Sequence, residues 1–405
     1  MVSPEQTTAL SGKNIAVLVQ NLPVPFDRRV WQESLALSAA GARVTVICPA
    51  DARHPAGEFD LDGIRVLRYA APREATGAAG YFIEYPWALA AMTRQLLKAA
   101  KGTRFDVIHF CNPPDLLFLC ALPYKLISRT KLIFDQHDLG PELIRAKRLP
   151  LSPIFIAIAR IIERLTYASA DHVISTNESY KNIALRRGGK GADEVTVVRS
   201  GPNVDWIVES ETTDRWHNGR SKMLGYVGVI GRQEGIEYLL DALKVIVFDR
   251  KMDVQLCLVG SGPDLPRLTE LAKEDGLDEH VSFLGRLSDE NLRSVLANAD
   301  VCVNPDEVNE LNNLSTMNKI VEYMALGRPI VQFDVKEGRY SAGESSRYAR
   351  KNDAESFAEE IIVVLSDDAL ARRMGEAGRA RFRDSLSWER QVPILVDAYR
   401  ATLSP

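Results

Sequence analysis

The sequence predicts an α/β protein of two doubly wound domains, each with a parallel sheet covered by helices. Its 405 residues exceed what one ordinary hydrophobic core accommodates. Near-continuous apolar runs alternate with longer helical patterns, and one polar segment, ESETTDRWHNGRSK, interrupts this alternation. We therefore expect one domain over residues 1–200 and a second over 201–387, with the C-terminal helical segment 388–405 packing back on the first.

The predicted strands are the apolar runs themselves. In the first half they are NIAVLVQ, ARVTVICP, GIRVLRY, FDVIHF, KLIFDQ, DHVISTN and TVVRS. In the second half they are MLGYVGVI, VQLCLVG, VSFLGR, DVCVNP and PIVQFD. Strands without polar alternation are buried on both faces, which is typical of parallel sheets between two helical layers.

Composition narrows the class of protein. The five cysteines are scattered within apolar runs and show no CxxC spacing, so neither a disulfide framework nor a zinc site is predicted. The start, MVSPEQTTALSGKN, does not resemble a secretory signal, and no apolar run is long enough to cross a bilayer. We expect a cytoplasmic protein, or one attached to the inner face of a membrane.

Charge is distributed unevenly along the chain. Residues 1–200 hold 25 basic and 19 acidic side chains, whereas the remainder holds 25 and 35, giving the net charge of -4. A basic half beside an acidic half fits a domain that contacts anionic lipid or an anionic acceptor, and it also fits ordinary surface variation. We expect no nucleic-acid partner.

The segment STMNKIVEYMALGRPIV predicts a helix with an anion site at its start. Ser315 or Thr316 can cap the helix and Gly327 can end it. Free backbone N–H groups and Lys319 in the first turn favour a diphosphate, and Glu322, three residues later, can reach ribose hydroxyls. The same pattern also fits an ordinary capped helix with an exposed Lys-Glu pair.

This segment resembles the donor-site helix of the retaining glycosyltransferases of family 4, which have the GT-B fold. The stretches NLPVPFDRRVW, FDQHDLGPE, ADHVISTN, VRSGPN and LVGSGP resemble the same family in the same order. DRRVW and NKIVEYMALG resemble enzymes of bacterial exopolysaccharide and O-antigen assembly. The resemblance implies two Rossmann-like domains facing across a cleft, a nucleotide-sugar donor bound by the second domain, and sugar transfer with retention, without a metal or other cofactor.

Three positions depart from the family pattern. The family usually has glutamate where this chain has Leu314, and commonly has basic residues where this chain has Val229 and Glu234. Arg232 and Lys319 are then the nearest candidates to meet the diphosphate charge.

Glycine-rich turns after the predicted strands supply further donor-binding candidates. Gly228 in GVIGRQEG and Gly260 in GSGPDLPRL let the backbone approach a ligand, or serve only the turns. By resemblance, Arg286 and Leu287 lie near the base edge. The polar loop NPDEVNELNN offers Glu310 and Asn312 to sugar hydroxyls, or is plain surface.

His137 follows the strand KLIFDQ, and the resemblance places a donor-contacting or catalytic histidine at this position. Asp138 beside it is predicted to influence the tautomer of its ring. His109 also closes a strand and is expected to shape its loop.

Arg28 and Arg29 open a helix that Asp27 can cap. Cations at a helix N-terminus are unfavourable against its dipole, so both arginines are expected to have anionic partners. These partners are either acceptor phosphates or nearby carboxylates.

The acceptor is expected to be a lipid-linked sugar, such as a polyprenyl-diphosphate-linked one. The segment GYFIEYPWALAAMTRQLLKAAK places aromatic residues ahead of Arg94, Lys98 and Lys101, a combination suited to a peripheral membrane contact or to packing in the first core. Three other classes of protein remain open: a nucleotide-sugar 2-epimerase, a two-domain sugar-binding protein, and an inactive transferase-like partner subunit.

Overall fold

The computed structural model describes residues 8–70, 78–146, 152–207 and 213–404, with the backbone alone for 78–83 and 152. Two compact units divide the chain. The first comprises Met1–Ser200 with Gln391–Pro405, and the second comprises Gly201–Arg390.

In the described part of the first unit, eight strands form one sheet in the order β3-β4-β2-β1-β5-β6-β7-β8. All neighbours are parallel except β3, which is antiparallel to β4. The strands are β1 (Asn14–Leu18), β2 (Arg43–Pro49), β3 (Gly57–Leu61), β4 (Ile64–Tyr69), β5 (Val107–Cys111), β6 (Lys131–Gln136), β7 (His172–Ser175) and β8 (Val195–Val197). The helices are α1 (Arg28–Ala39), α2 (Ala78–Ala99), α3 (Phe118–Ser128), α4 (Gly140–Ala146), α5 (Ser152–Ser169) and α6 (Glu178–Arg186).

In the described part of the second unit, six parallel strands form a sheet in the order β11-β10-β9-β12-β13-β14. Its strands are β9 (Lys222–Val227), β10 (Val254–Val259), β11 (Val281–Gly285), β12 (Val301–Asn304), β13 (Ile330–Phe333) and β14 (Ser346–Ala349). Its helices are α7 (Ile236–Lys244), α8 (Leu265–Glu274), α9 (Asp289–Asn298), α10 (Glu310–Leu314), α11 (Asn318–Ala325), α12 (Lys336–Ala342), α13 (Ala354–Ser366) and α14 (Asp368–Arg381). The C-terminal helix, α15, spans Trp388–Leu403, and its residues from Gln391 onward belong to the first unit.

These two sheets confirm the predicted α/β class with two Rossmann-like domains. Every predicted apolar run forms all or part of a strand. A short run that is apolar throughout is typical of a strand buried on both faces, which is why the pattern identified them. The prediction missed β3 and β14, the strands at one edge of each sheet. Their sequences, GEFDL and SRYA, are short and partly polar, since an edge strand is only partly covered.

The strand order creates one switch point in each sheet. In the first unit the order reverses between β1 and β5, and in the second between β9 and β12. Loops that leave the carboxyl ends of such strands diverge to opposite faces and leave a crevice, where open α/β sheets bind ligands. The predicted site residues lie in the loops, or at the starts of the helices, that follow the carboxyl ends of β1, β6, β9, β10, β11 and β12.

Candidate active site

Arg29 lies at the start of α1, beside the switch point of the first sheet. Asp27 caps this helix, as predicted, by accepting a hydrogen bond from Val30 N at 3.2 Å. Burial of Val30 and Leu37 holds the helix against the sheet. The cap and the packing together direct the Arg29 side chain into the interior, where it is 9% exposed.

The anionic partners of Arg29 are carboxylates. Its Nε and Nη2 donate to both oxygens of Asp135, at 2.9 and 2.7 Å. Its Nη2 also lies 3.0 Å from Glu33 Oε1, and its Nη1 donates to Val198 O and Ser200 Oγ, each at 3.0 Å. The prediction left phosphates or carboxylates open for this residue, and the structure shows carboxylates. Arg28, its neighbour, is exposed.

His137 is paired with Asp135, the last residue but one of β6. Its Nε2 hydrogen-bonds Asp135 Oδ2, so the carboxylate that contacts the ring comes from two residues before it. Burial alone would lower the pKa of His137, but the Asp135 carboxylate outweighs burial and raises that pKa. Arg29 and His137 together hold the pKa of Asp135 well below its usual range despite burial.

His109 and Glu33 complete this buried cluster. His109 Nδ1 hydrogen-bonds Tyr399 Oη of the C-terminal helix at 2.6 Å, and its Nε2 lies 3.6 Å from both Glu33 and Asp135. Burial raises the pKa of Glu33 to about 7, although Arg29 opposes the shift. His109 therefore belongs to the network around Asp135, a larger role than the predicted shaping of its loop.

One group of described side chains has the composition of a metal site. Ligand atoms of His109, Cys111 and Asp135 lie within 4.8 Å of one another in the core. However, the Arg29 guanidinium already neutralises Asp135, and burial raises the pKa of the Cys111 thiol well above its usual value, which keeps it protonated. This arrangement favours a hydrogen-bonded network over a bound cation.

In the second unit, the glycines of the predicted donor loops allow three backbones to come together. A Cβ on Gly260 would lie 1.8 Å from Gly228 O, and one on Gly235 would lie 2.0 Å from Pro305 O. Gly235 also has a φ of 63°, in the left-handed region. Glycine is therefore required here by both backbone conformation and contact, and the loops after β9, β10 and β12 lie side by side.

Lys319, in the first turn of α11, lies at these loops. Its Cε would be 3.5 Å from a Cβ on Gly228, and its Nζ lies 2.9 and 3.0 Å from the two carboxylate oxygens of Asp306. The ammonium also lies 4.7 Å from the centre of the Tyr226 ring. Burial lowers the pKa of Lys319, but Asp306 outweighs it and raises that pKa, so the group stays charged.

The start of α11 differs from the prediction. Met317, and not the predicted Ser315 or Thr316, occupies the cap position, and it makes no side-chain cap hydrogen bond. Ser315 directly follows the short helix α10, and its Oγ donates to Leu311 O of that helix. The predicted end is confirmed, since α11 stops at Ala325 and Gly327 is left-handed, with φ of 65°.

The remaining donor-side candidates differ in their exposure and in their contacts with these loops. Arg232 and Glu310 are exposed, and Glu322 is half-buried one turn after Lys319. Both amide hydrogens of Asn312 donate to main-chain carbonyls, those of Gln233 and Glu307. Asn312 therefore ties the glycine-rich loop to the loop after β12.

Arg286 and Leu287 follow β11. Arg286 Nε donates to Ser261 Oγ at 3.2 Å, which connects the loops after β10 and β11. Leu287 packs against the hydrophobic core of this unit. Of the three departures from the family pattern, Val229 is 55% exposed, whereas Leu314 and Glu234 are half-buried.

The aromatic-basic segment that was considered for a membrane contact forms α2. The side chains of Tyr81 and Phe82 lie outside the described residues. Trp87 is 54% exposed, and Lys98 Nζ pairs with Glu58 at 2.8 Å. Across the described residues, no helix has the combination of length and apolarity that crossing a bilayer requires.

Two family models match the chain, one over each unit. The model described as Glycosyl transferase 4-like domain matches residues 27–201. The model described as Glycosyl transferases group 1 matches residues 221–367.

Comparisons with individual relatives agree with these matches. The capsular polysaccharide biosynthesis glycosyltransferase CapM of Staphylococcus aureus is 24% identical over 289 residues, which cover 65% of this chain and 72% of CapM. Relatives with 31% and 33% identity align over less than half of this chain.

Two solved structures share the fold over nearly all of the chain. Sucrose-phosphate synthase from Thermosynechococcus elongatus has a TM-score of 0.80 and 22% identity, covering 96% of this chain and 98% of that one. Anabaena HepE in complex with UDP-glucose has a TM-score of 0.72 and 15% identity, covering 95% and 99%. With a glycosyltransferase model matching each unit and the fold of these enzymes throughout, the chain belongs to the glycosyltransferases of the GT-B fold.

Proposed function

We propose that this protein transfers a hexose from a nucleoside-diphosphate sugar to an acceptor hydroxyl, with retention at the anomeric carbon and without a metal. The observation that carries the proposal is Lys319, a largely buried ammonium beside Gly228, where glycines let the loops after β9, β10 and β12 lie side by side. Such a place provides positive charge and close backbone approach together, which is what a diphosphate requires.

The diphosphate binds in competition with Asp306. In the structure the two oxygens of this carboxylate hold the Lys319 ammonium. A diphosphate oxygen that enters at Gly228 takes over part of this contact, and backbone N–H groups at the start of α11 add to it. When the bond to the sugar breaks, negative charge grows on the leaving diphosphate, and these fixed donors stabilise it.

The rest of the donor is assigned by position. Glu322, one turn along α11, accepts hydrogen bonds from the ribose hydroxyls. Arg286 and Leu287 meet the base, and Glu310 and Asn312 lie toward the sugar. Anabaena HepE, which shares this fold, binds UDP-glucose, and this supports a nucleotide sugar as the donor.

His137 is proposed as the residue of the first unit that contacts the donor sugar. Because Asp135 accepts from its Nε2, the imidazole has a fixed orientation. An oriented imidazole can donate to or accept from a sugar hydroxyl at the reacting ring. Asp138 is proposed to help position the loop that carries His137. Arg28, on the exposed side of α1, is proposed to bind the acceptor.

The direct test is a panel of UDP-, GDP- and TDP-sugars, with thermal stability and slow donor hydrolysis as readouts. A bound donor must raise the unfolding temperature, because it binds only the folded state. Release of free sugar supports transferase chemistry. Conversion of the donor to its 2-epimer without acceptor would instead identify an epimerase, and binding without hydrolysis would indicate an inactive relative.

Metal independence has its own test. The positive and N–H groups named above are proposed to do what a divalent cation does in metal-dependent transferases. Activity should therefore survive excess EDTA. A requirement for Mn²⁺ or Mg²⁺ that salt cannot replace would contradict this part.

The acceptor is proposed to be a lipid-linked sugar, such as a polyprenyl-diphosphate-linked one, reached at the inner face of a membrane. The exposed Trp87 and the exposed basic residues Arg94 and Lys101 of and after α2 support such a contact. The wild-type chain should sediment with anionic vesicles at low salt and be released at high salt.

A charge-reversal variant sharpens this test. Changing Arg94, Lys98 and Lys101 to Glu should abolish vesicle binding while nucleotide affinity stays unchanged. The matched control reverses three exposed basic residues of the second unit, Arg250, Lys251 and Lys273. No sedimentation of the wild-type chain, or an equal loss in both variants, would rule out α2 as the contact.

A further inference from the structure

A cavity of about 590 Å³ lies within the first unit, beside the loop that carries His137. Part of its lining is polar and includes Asn112, Asp115 and Asp138. Another part consists of apolar side chains of α4 and α5, among them Leu143 and Phe155. The lining therefore combines polar and apolar side chains.

Asn112 connects the polar part of the cavity lining directly to the His137 loop. Its Oδ1 accepts from His137 N at 2.7 Å and from Asp138 N at 3.1 Å. Its Nδ2 donates to Asp115 Oδ1 at 2.8 Å. A ligand that contacts Asn112 therefore contacts a residue that is hydrogen-bonded to the backbone of His137.

The charged side chains of the lining are acidic. Asp115, Asp138 and Glu84 all line the cavity, and no lysine or arginine is found among its described lining residues. Gly140 makes room for this charge, since a Cβ there would lie 2.9 Å from Asp115 Oδ2. Burial raises the pKa of Asp115 to about 6, so it is mostly ionised at neutral pH.

We propose that this cavity holds the acceptor, and that the part of the acceptor inside it combines hydroxyl groups with an adjoining apolar surface and carries no phosphate. The inference rests on the proposed transfer reaction and specifies its second substrate. Hydroxyl groups donate to the carboxylates of Asp115 and Asp138, and the apolar surface packs against Leu143 and Phe155.

Charge decides between this acceptor and a phosphorylated one. A phosphate within the cavity would enter a partly desolvated place whose lining carries three carboxylates and, among the described residues, no lysine or arginine, so like charges would repel it. If the acceptor is linked to a lipid diphosphate, the diphosphate must remain outside, and only the sugar to be extended enters.

The test measures the binding of three probes to the full-length chain by calorimetry at pH 8: octyl β-D-glucoside below its micelle-forming concentration, glucose, and octyl phosphate. We expect octyl glucoside to bind, and glucose and octyl phosphate to bind at least about tenfold more weakly, since one lacks the apolar part and the other adds charge. Asp115→Asn, which keeps the size of the side chain, should narrow the difference between octyl phosphate and octyl glucoside.

Two positions of α5 give a matched pair. Ile158 lines the cavity and is 48% exposed, whereas Ile161 is 62% exposed and does not line it. Ile158→Ser should weaken octyl glucoside binding about fivefold through lost apolar contact, and Ile161→Ser should leave it unchanged. Because both side chains are largely exposed, neither change threatens folding.

Three results would overturn the inference: octyl phosphate binding as tightly as octyl glucoside, equal losses in the two isoleucine variants, or no octyl glucoside binding by a folded chain. UDP binding, measured in the same samples, reports on the donor site separately. A chain that binds octyl glucoside but no nucleotide would refute the proposed function and leave the cavity as a glycoside-binding site.

Discussion

The candidate sites of the two units consist of different chemical groups. In the first, the groups around His137 are side chains that are buried and paired with one another, with Arg29 bound to both oxygens of Asp135. In the second, the site is mostly backbone brought close by glycines, with one ion pair between Lys319 and Asp306. A buried side-chain network fixes orientation, whereas a glycine-lined backbone leaves room for a ligand.

This difference suggests a division of labour. In the first unit the bonds that join Arg29, Asp135 and His137 form without a ligand, so they are suited to hold one imidazole in a fixed position for the reaction. In the second unit the Lys319 ammonium pairs with one described carboxylate, that of Asp306, beside the glycine-rich loops, so an entering anion can rearrange this pair. Changes in the first unit should therefore affect turnover and stability, and changes in the second should affect donor affinity.

The largest effect is expected for His137→Ala. Turnover should fall by about 10²–10⁴-fold, the usual contribution of a positioned acid-base or hydrogen-bonding group. Nucleotide affinity should remain within about twofold, because the nucleotide site is assigned to the other unit. Steady-state kinetics and nucleotide titration on the same preparation check this, and a parallel loss of both with loss of folded protein would show a structural role.

The second prediction compares the two ion pairs by the free energy of unfolding that is lost when each is broken. Asp135→Asn leaves the Arg29 guanidinium buried without its main partner and should cost roughly 3–5 kcal/mol in free energy of unfolding. Asp306→Asn should cost at most about 2 kcal/mol, because the Lys319 ammonium keeps its contact with the Tyr226 ring and the asparagine oxygen can still accept from it. Urea unfolding of both variants measures the contrast, and equal losses would remove the distinction between a fixed and a rearrangeable pair.

The third effect is a pH dependence of stability that arises in the first unit. Folding raises the pKa of Glu33 from 4.5 to about 7. A raised pKa means that the contribution of Glu33 to stability is fully present below pH 4.5 and is lost as pH rises through 7. Glu33→Gln removes this titration, so from pH 5 to pH 8 the variant should gain up to roughly 3 kcal/mol relative to wild type.

Its control is Glu359→Gln, at an exposed position of α13. That substitution should change stability equally at both pH values. Denaturant unfolding at pH 5 and pH 8 provides the comparison. A Glu33→Gln difference that is constant with pH would mean that Glu33 stays ionised in the folded protein.

The sequence predicted the sheets well, and the buried ion pairs poorly. Continuous apolar runs such as FDVIHF leave little choice but a buried parallel strand, and each such run is one. Short edge strands such as β14 lack this signal because one side is open. Lys319 and Gly228 were both assigned to the donor site from local patterns, and the structure brings them together.

Asp135 and Asp306 were missed because pairing is a long-range property. Asp135 meets an arginine 106 positions away in the chain, and nothing in the spacing of FDQHD identifies that partner. One signal was available: Asp135 is two residues before His137, so the chain can bring both to the same strand end. Asp306, directly after β12, lies at the switch point, where a carboxylate draws notice only once the strand order is known.

The fourth effect concerns Lys319. Lys319→Met removes the ammonium and keeps the apolar stem, so affinity for UDP should fall by about 1.5–3 kcal/mol, the value of a charged hydrogen bond. Affinity for uridine, which has no phosphate, should be unchanged. Titration of both ligands measures this, and an equal loss for UDP and uridine would show that Lys319 supports the fold of the site and does not bind phosphate.

The last prediction concerns Glu322, and the smallest of all the expected effects is that of Glu322→Gln, which only exchanges a charged acceptor for a neutral one. If this carboxylate accepts from ribose hydroxyls, Glu322→Ala loses a charged hydrogen bond, about 1.5–3 kcal/mol of UDP affinity, whereas Glu322→Gln keeps a neutral acceptor worth roughly 0.5–1.5 kcal/mol. The order wild type, Gln, Ala is therefore expected for UDP and for uridine alike, since both contain ribose. This separates Glu322 from Lys319, whose loss should affect UDP alone. The thermal stability of the ligand-free variants must stay close to wild type for the order to be read as binding. Unchanged UDP affinity in Glu322→Ala would disprove the ribose contact, and would leave the second unit with phosphate as its principal point of recognition.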